Sequence, residues 1–579
     1  MCGIAGVIST SIIEHKNLEA LIGPIKHRGP DGSGIWINNE KNVGFAHRRL
    51  SIIDLSDNGS QPFHSQSKEY TITYNGEIYN YIEIREILKK KGHQFRTFTD
   101  TEVILAAFKE YGYDCLNYFD GMFAFALWDN NKQELFCARD RFGEKPFFYY
   151  LNNNRFVFAS EIKQFWSYGI DKIIDPEKLE RFLLKSEVID DNAKEKTFYK
   201  NIISLKAAHF LIYKIGQNPN IKEYWNLKTV KINSHYNFHD ASIKFLELLN
   251  KSIQYRLRSD VQVGSSLSGG LDSSAIVYSI NSKFLKLNQK QFTFSARFNN
   301  YEKDEGEYID ALISELHDIN RFDVFLNSDE FEKDIQQIIY HQDEPFQSAS
   351  IFAQFKVMEL VKKNNVTVLL DGQGADELLG GYETLYIEYL KQLFYNRPDI
   401  YTSELTAFNK MHGSKYGMVD LKKNDTPLFK LKRETKRLFN IKQAVSNTYF
   451  SNVLQQYICG AQLQQLLRYA DRNAMAHSIE TRLPFLNHEL VEFCFTLPDQ
   501  FKLKDGWPKF ILRKVFDKKI TDKIIWRKNK IGYETPENTF MQSNNSQTRI
   551  KIARQFVSDN KITYVANDWL LYMTSYYIN

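Results

Sequence analysis

Apolar positions along the first 210 residues come in short bursts. Tyr70–Tyr74, Met122–Trp128, Glu134–Ala138, Phe147–Leu151 and Phe156–Ala159 alternate or run apolar between clusters of Gly, Asn and Asp. That spacing predicts packed strands. Ile82–Lys91 and Glu102–Tyr111 space their apolar residues as helices do. Two sheets with helices on their outer faces are expected. Between 213 and 235, Gly216, Pro219 and several asparagines break all periodicity, which predicts a linker. The expected division is therefore a domain over 1–212, a linker over 213–235 and a second domain over 236–579. From about 236, helical stretches alternate with apolar strands at Val261–Leu267, Gln291–Phe298 and Val366–Leu370. This is the pattern of a parallel sheet covered by helices. Beyond about 383 the chain reads as helical.

Composition adds bounds rather than identity. The chain has 579 residues, 25% of them charged, and a net charge of +5. So small an excess supports neither nucleic acid nor membrane as a partner. Five cysteines (Cys2, Cys115, Cys137, Cys459, Cys494) lie far apart with no CxxC pair. Disulfide and zinc frameworks are thereby disfavoured, and a reducing, cytoplasmic setting is expected. No apolar run approaches the roughly 18 residues that span a bilayer, and no basic-then-apolar leader is expected at the N-terminus. Lys422–Lys442 carries eight basic residues against two acidic ones and is expected to be a solvated insert.

The chemistry begins at Met1-Cys2-Gly3. Removal of Met1 puts a thiol and a free α-amine on one residue. With an unperturbed pKa of roughly 7.7–8.0, the amine can serve as the base that activates the thiol.

Five further segments accompany Cys2: His27-Arg-Gly-Pro-Asp-Gly32, Arg48-Arg-Leu-Ser-Ile-Ile-Asp54, Tyr74-Asn-Gly-Glu-Ile-Tyr-Asn80, Thr99-Asp-Thr-Glu102 and Ala138-Arg-Asp-Arg-Phe-Gly143. Together and in this order they resemble class II glutamine amidotransferase domains. The resemblance implies an α+β N-terminal-nucleophile fold, an αββα sandwich. It also implies roles. Cys2 would attack the glutamine side-chain amide to form a thioester. Asn75 and the Gly76 N–H would hold the oxyanion. Arg49 would hold the α-carboxylate beside Leu50. Asp100, joined by Glu77, would hold the α-ammonium.

A second constellation is Ser268-Gly269-Gly270-Leu271-Asp272-Ser273-Ser274, set between an expected strand and an expected helix. Glycines allow close backbone approach, and a helix N-terminus offers free N–H groups to phosphate. The loop lacks the lysine of a GxxxxGK[ST] P-loop. It resembles instead the PP-loop of enzymes that split ATP between its α- and β-phosphates. Asp371-Gly-Gln-Gly-Ala-Asp-Glu377 follows the next expected strand, and Gly506-Trp-Pro-Lys-Phe-Ile-Leu-Arg513 matches another family segment. The resemblance implies that Asp272 and Asp376 share Mg²⁺ with pyrophosphate oxygens. Leu267, Ala296, Asp371 and Gly372 would neighbour the nucleoside, and Lys509 would contact phosphate. Asp471–Pro484 is expected to be structural core.

Both domains in this order resemble the glutamine-dependent asparagine synthetase family over nearly the whole chain. The implied substrates are glutamine, ATP and aspartate, the implied products asparagine, AMP and pyrophosphate, and a homodimer is implied as the assembly. Ammonia would pass between the sites unprotonated through an apolar passage. Two departures bear on the acceptor. Gln373 stands where asparagine-making members carry a glutamate thought to act as a base, and an amide cannot take a proton. Glu377 or a water would have to substitute. No arginine occurs from 322 to 396, where such members place one to hold the amino acid, leaving Lys356, Lys362 or Lys363. The alternative is another carboxylate acceptor, such as a uronic acid of surface polysaccharide.

Overall fold

The computed structural model describes residues 2–152, 154–230, 232, 236–299, 301–413, 446, 448–528, 535, 537–565 and 567–578. The basic stretch Lys422–Lys442 lies outside them.

The N-terminal half is built on two antiparallel six-stranded sheets. The first centres on Gly3–Ser9, paired with Val43–Arg49 on one side and Arg155–Ala159 on the other. The second centres on Gly121–Asp129, between Tyr70–Ile78 and Glu134–Arg139. Side chains alternate across each strand. Ile4 and Ile8 join Ala124, Ala126 and Trp128 in the core between the sheets. Ala5 and Val7 face the helix His15–Ile22, and Phe123, Phe125 and Leu127 face the helix Asp100–Tyr111. Both faces of the central strands are buried, which is why Met122–Trp128 reads as an unbroken apolar run. The four-layer αββα order expected from the resemblance is the observed one.

The expected boundary at 212 falls inside a hairpin. His209–Tyr213 pairs with Asn220–Glu223, so the second sheet continues into the segment read as a linker. Gly216, at φ +78°, lies in the hairpin loop. Hairpin loops and linkers share the same breaker residues, so periodicity alone does not separate them.

The C-terminal half carries a five-stranded parallel sheet in the order Ile319–Phe325, Gln291–Arg297, Val263–Ser266, Val368–Leu370, Glu480–Arg482. The chain winds outward from Val263–Ser266 in one direction, then returns to continue in the other. The switch point thus lies between Val263–Ser266 and Val368–Leu370, and the crevice at their carboxyl ends is where open α/β sheets take ligands. Beyond 383 the described residues are mainly helical. No described helix is long and apolar enough to cross a membrane.

Candidate active sites

Cys2 sits at the mouth of the strand Gly3–Ser9. Its backbone nitrogen donates to Asn75 Oδ1 at 2.9 Å, and its Sγ lies 3.9 Å from the Leu50 carbonyl oxygen. Asn75-Gly76 is no turn: the pair lies within the strand Tyr70–Ile78, opposite Ala124 and Phe123. A Cβ at Gly76 would stand 2.1 Å from the Met122 carbonyl oxygen, so glycine is required for the strands to pair here. Asn75 is fully buried. Its Oδ1 is committed to Cys2, while its Nδ2 has no hydrogen-bond partner. An orphaned buried donor is costly. A buried donor held ready in this way can stabilise an oxyanion.

Burial pushes the Cys2 thiol up, so it is held protonated at neutral pH and needs a base. His47 does not serve as a cationic partner. It is buried against the Tyr74 carbonyl oxygen at 3.1 Å, and burial pushes its pKa down to about 3.

Arg49 lies within electrostatic reach of the thiol. Its guanidinium donates to the Ser56 carbonyl oxygen at 2.7 Å and to that of Asp54, folding the intervening loop around itself. Asp100, in the first turn of its helix, accepts from Tyr74 Oη at 2.7 Å and from the Ile78 N–H at 2.9 Å. Glu77 is buried with Oε2 unpartnered. Burial raises both carboxyls.

The expectation that Asp471–Pro484 is inert core is incomplete, because it brings charges to this site. Arg28 donates through Nε to the Cys2 carbonyl oxygen at 2.9 Å and grips Asp471 with both terminal nitrogens at 2.9 and 3.1 Å. Glu480 and Arg482 come from the outermost strand of the other domain's sheet. Arg482 Nε donates to Glu480 Oε1 at 2.6 Å, and its Nη2 lies 3.6 Å from Glu77 Oε1. The signal was four charged residues in an otherwise buried segment; what was missing was their destination.

At the second site the two expected loops meet. A Cβ on Gly372 would stand 3.0 Å from Asp272 Cβ and 3.1 Å from the Ser273 nitrogen. Ser268 and Ser273 hydroxyls lie 3.1 Å apart, and the Gly270 N–H donates to Ser268 Oγ at 3.3 Å. Gly269, at φ +75°, makes the turn that opens the helix Leu271–Ser279. Ser274, on the same helix, is fully buried. Ser266 Oγ donates to Asp371, and Ser295 Oγ to the Leu267 carbonyl oxygen, placing Leu267 and Ala296 at neighbouring strand ends. Lys509 Nζ bridges Asp272 at 2.5 Å and Asp376 at 2.8 Å. Gly381 packs against this bridge, since a Cβ there would stand 1.9 Å from Asp376 Oδ1. Burial lowers the Lys509 pKa, and the two carboxylates more than reverse this, so the ammonium persists.

The lysines considered for an α-carboxylate clamp are otherwise placed. Lys356 turns to Asp334 at 3.0 Å and Glu359 at 2.5 Å, Lys363 pairs with Glu359 at 2.8 Å, and Lys362 is exposed. Gln373 Oε1 is buried without a partner, while Glu377 accepts from Tyr382 Oη at 2.6 Å.

One apolar cluster joins the sites. Leu50, Ile52, Tyr79 and Met122 of the first domain pack continuously with Leu267, Leu271 and Leu370 of the second.

Fold and sites define a class: a glutamine amidotransferase domain joined to a PP-loop synthetase domain. A glutamine amidotransferase domain model matches residues 1–225, and an asparagine synthase model matches residues 244–563. The chain belongs to the glutamine-hydrolysing asparagine synthetase family. It is 31% identical to asparagine synthetase [glutamine-hydrolyzing] 1 of Bacillus subtilis, over 99% of this chain and 92% of that one. It is 38% identical to a putative asparagine synthetase [glutamine-hydrolyzing] 2 of Methanocaldococcus jannaschii, over 66% and 76%. It is also 27% identical to the amidase chry2 of Gibberella zeae, over 93% and 89%.

Proposed function

We propose that the chain makes asparagine, releasing ammonia from glutamine at Cys2 and using it to amidate aspartate activated by ATP. The observation that carries this reading is the orphaned Asn75 Nδ2 beside Cys2, in a chain whose second site holds Lys509 between Asp272 and Asp376.

In the first half-reaction Cys2 Sγ attacks the glutamine amide carbon, its proton passing to the α-amine. Asn75 Nδ2 and the Gly76 N–H receive the oxyanion, and collapse expels ammonia and leaves a thioester that water clears. Arg49 meets the α-carboxylate, and Asp100 with Glu77 the α-ammonium. Ammonia then follows the apolar contact from Leu50 and Met122 to Leu267, where a neutral molecule passes at less cost than an ion.

In the second, the acceptor carboxylate attacks the ATP α-phosphorus, giving an acyl-adenylate and pyrophosphate. The PP-loop backbone from Ser268 to Gly270, with Ser273 and Ser274, receives phosphate oxygens at the helix N-terminus. Lys509 offsets the charge that develops on the leaving pyrophosphate. Asp272 and Asp376, drawn together by Lys509, carry hard carboxylate oxygens of the kind that would hold Mg²⁺, which would neutralise phosphate charge when bound. Ammonia displaces AMP to give the amide.

A second reading, another carboxylate acceptor, is favoured by Gln373 and by the commitment of Lys356 to Asp334 and Glu359. Pyrophosphate release with ATP, glutamine, Mg²⁺ and either L-aspartate or a panel of uronic acids separates the two. Aspartate-dependent pyrophosphate with equimolar asparagine supports the first. A response confined to a uronic acid replaces it with the second.

A further inference from the structure

Three buried carboxylates, Glu77, Asp100 and Glu480, converge on the Cys2 site, and one of them belongs to the synthetase domain. Glu480 is fully buried on the strand Glu480–Arg482, and its charge acts on Cys2, Glu77 and Asp100. Arg482 lies between Glu480 and Glu77, and the backbone fixes its direction. Its Nη1 donates to the carbonyl oxygens of Arg256 at 2.8 Å and Arg258 at 2.6 Å. The guanidinium is shared unequally, at 2.6 Å to Glu480 and 3.6 Å to Glu77. Glu77 Oε2 is left buried and unpartnered. A carboxylate pinned by a guanidinium would have little attraction left for a second cation. One whose guanidinium is drawn elsewhere stays open to a second cation, and burial with the Glu480 charge favours its protonated form until that cation arrives.

We propose that Glu480 is a positioning residue for glutamine recognition: by drawing Arg482 to itself, it leaves the Glu77 carboxylate free to take the substrate's α-ammonium. The inference rests on the Cys2 site being a glutaminase. It also assigns part of the amidotransferase specificity to the other domain.

The test compares steady-state hydrolysis of glutamine with that of glutaramate, the same amide without its α-amino group, by ammonia release from the full chain. Glu480→Gln keeps an oxygen for Arg482 Nε but removes the charge. KM for glutamine is expected to rise about tenfold, the scale of one charge-assisted contact, with a clearly smaller change in glutaramate hydrolysis. Glu77→Gln should also lose more on glutamine than on glutaramate, and the double variant no more than Glu77→Gln alone, because the two act through one contact. Glu480→Asp, which keeps the charge, should recover most of the discrimination. Equal losses for both substrates, no loss for either, or additive losses in the double variant would overturn the proposal. A wild-type chain that hydrolyses no glutamine would overturn the glutaminase reading and this inference with it.

Discussion

Arg28 and Asp471, separated by 443 positions in sequence, form a two-pronged ion pair at 2.9 and 3.1 Å, and the same guanidinium holds the Cys2 carbonyl oxygen. Cys2 is therefore anchored through a residue of the opposite domain. Arg28 is fully buried and also meets Glu161 at 2.8 Å. Removing Asp471 leaves the buried guanidinium with Glu161 as its remaining carboxylate. Asp471→Ala is expected to destabilise the chain by about 3–5 kcal/mol and to lower glutamine hydrolysis, read by urea unfolding and by ammonia release.

Asn75→Asp exchanges the orphaned donor Nδ2 for an acceptor at nearly constant volume. Glutaminase kcat should fall by about 10²–10³-fold, the usual cost of an oxyanion donor, with KM for glutamine little changed. Ammonia-dependent amide synthesis should persist. A loss confined to KM would show that Asn75 binds ground-state substrate instead.

Lys509→Met removes the ammonium between Asp272 and Asp376. Pyrophosphate release should drop by about 10²-fold or more, while hydrolysis of glutamine at Cys2 continues. Gly381→Ala should act the same way more weakly, because its methyl group enters the Asp376–Lys509 contact. Parallel pyrophosphate and ammonia assays separate these from global unfolding.

Glu144 supplies a pH dependence. Its side chain is buried with neither carboxyl oxygen hydrogen-bonded, and burial pushes its pKa up to about 8. The folded state then holds a proton that the unfolded chain releases near pH 4.5. Stability from this group is full below that value. It falls as pH rises, by about 1.4 kcal/mol per unit, and levels off above about pH 8. Glu144→Gln has no proton to lose. Its melting temperature should exceed that of the wild type by an amount that grows from pH 5 to 8 and then stays constant; a pH-independent difference would refute the assignment.

Much of this architecture is legible in sequence, for identifiable reasons. Met122–Trp128 is recognisable as a strand because both its faces are buried, and the loops at Ser268 and Asp371 because glycine and acidic residues follow short apolar strands. Cys2, Asn75, Asp272, Asp376 and Lys509 sit in motifs whose chemistry is local. Glu480–Arg482 is illegible by the same rules. It is three residues long, mostly charged, and a strand only because Val368–Leu370 pairs with it. Its side chains answer Glu77 and Asp100, far away in the sequence, and no periodicity within one chain carries such a correspondence. The boundary at 212 fails for a simpler reason, since a hairpin loop and a linker use the same residues.

The strand Glu480–Arg482 also bears on how such proteins can be recombined. Its backbone belongs to the synthetase sheet, where the Arg482 carbonyl oxygen accepts from the Asp371 N–H at 3.0 Å, while the Arg482 side chain reaches to 3.6 Å from Glu77 of the amidotransferase domain. A chimera spliced near residue 230 would import foreign partners for Glu77 with the donor half. The charges of each half meet those of the other across this strand, so exchanging a whole domain changes the surroundings of Glu77 as well.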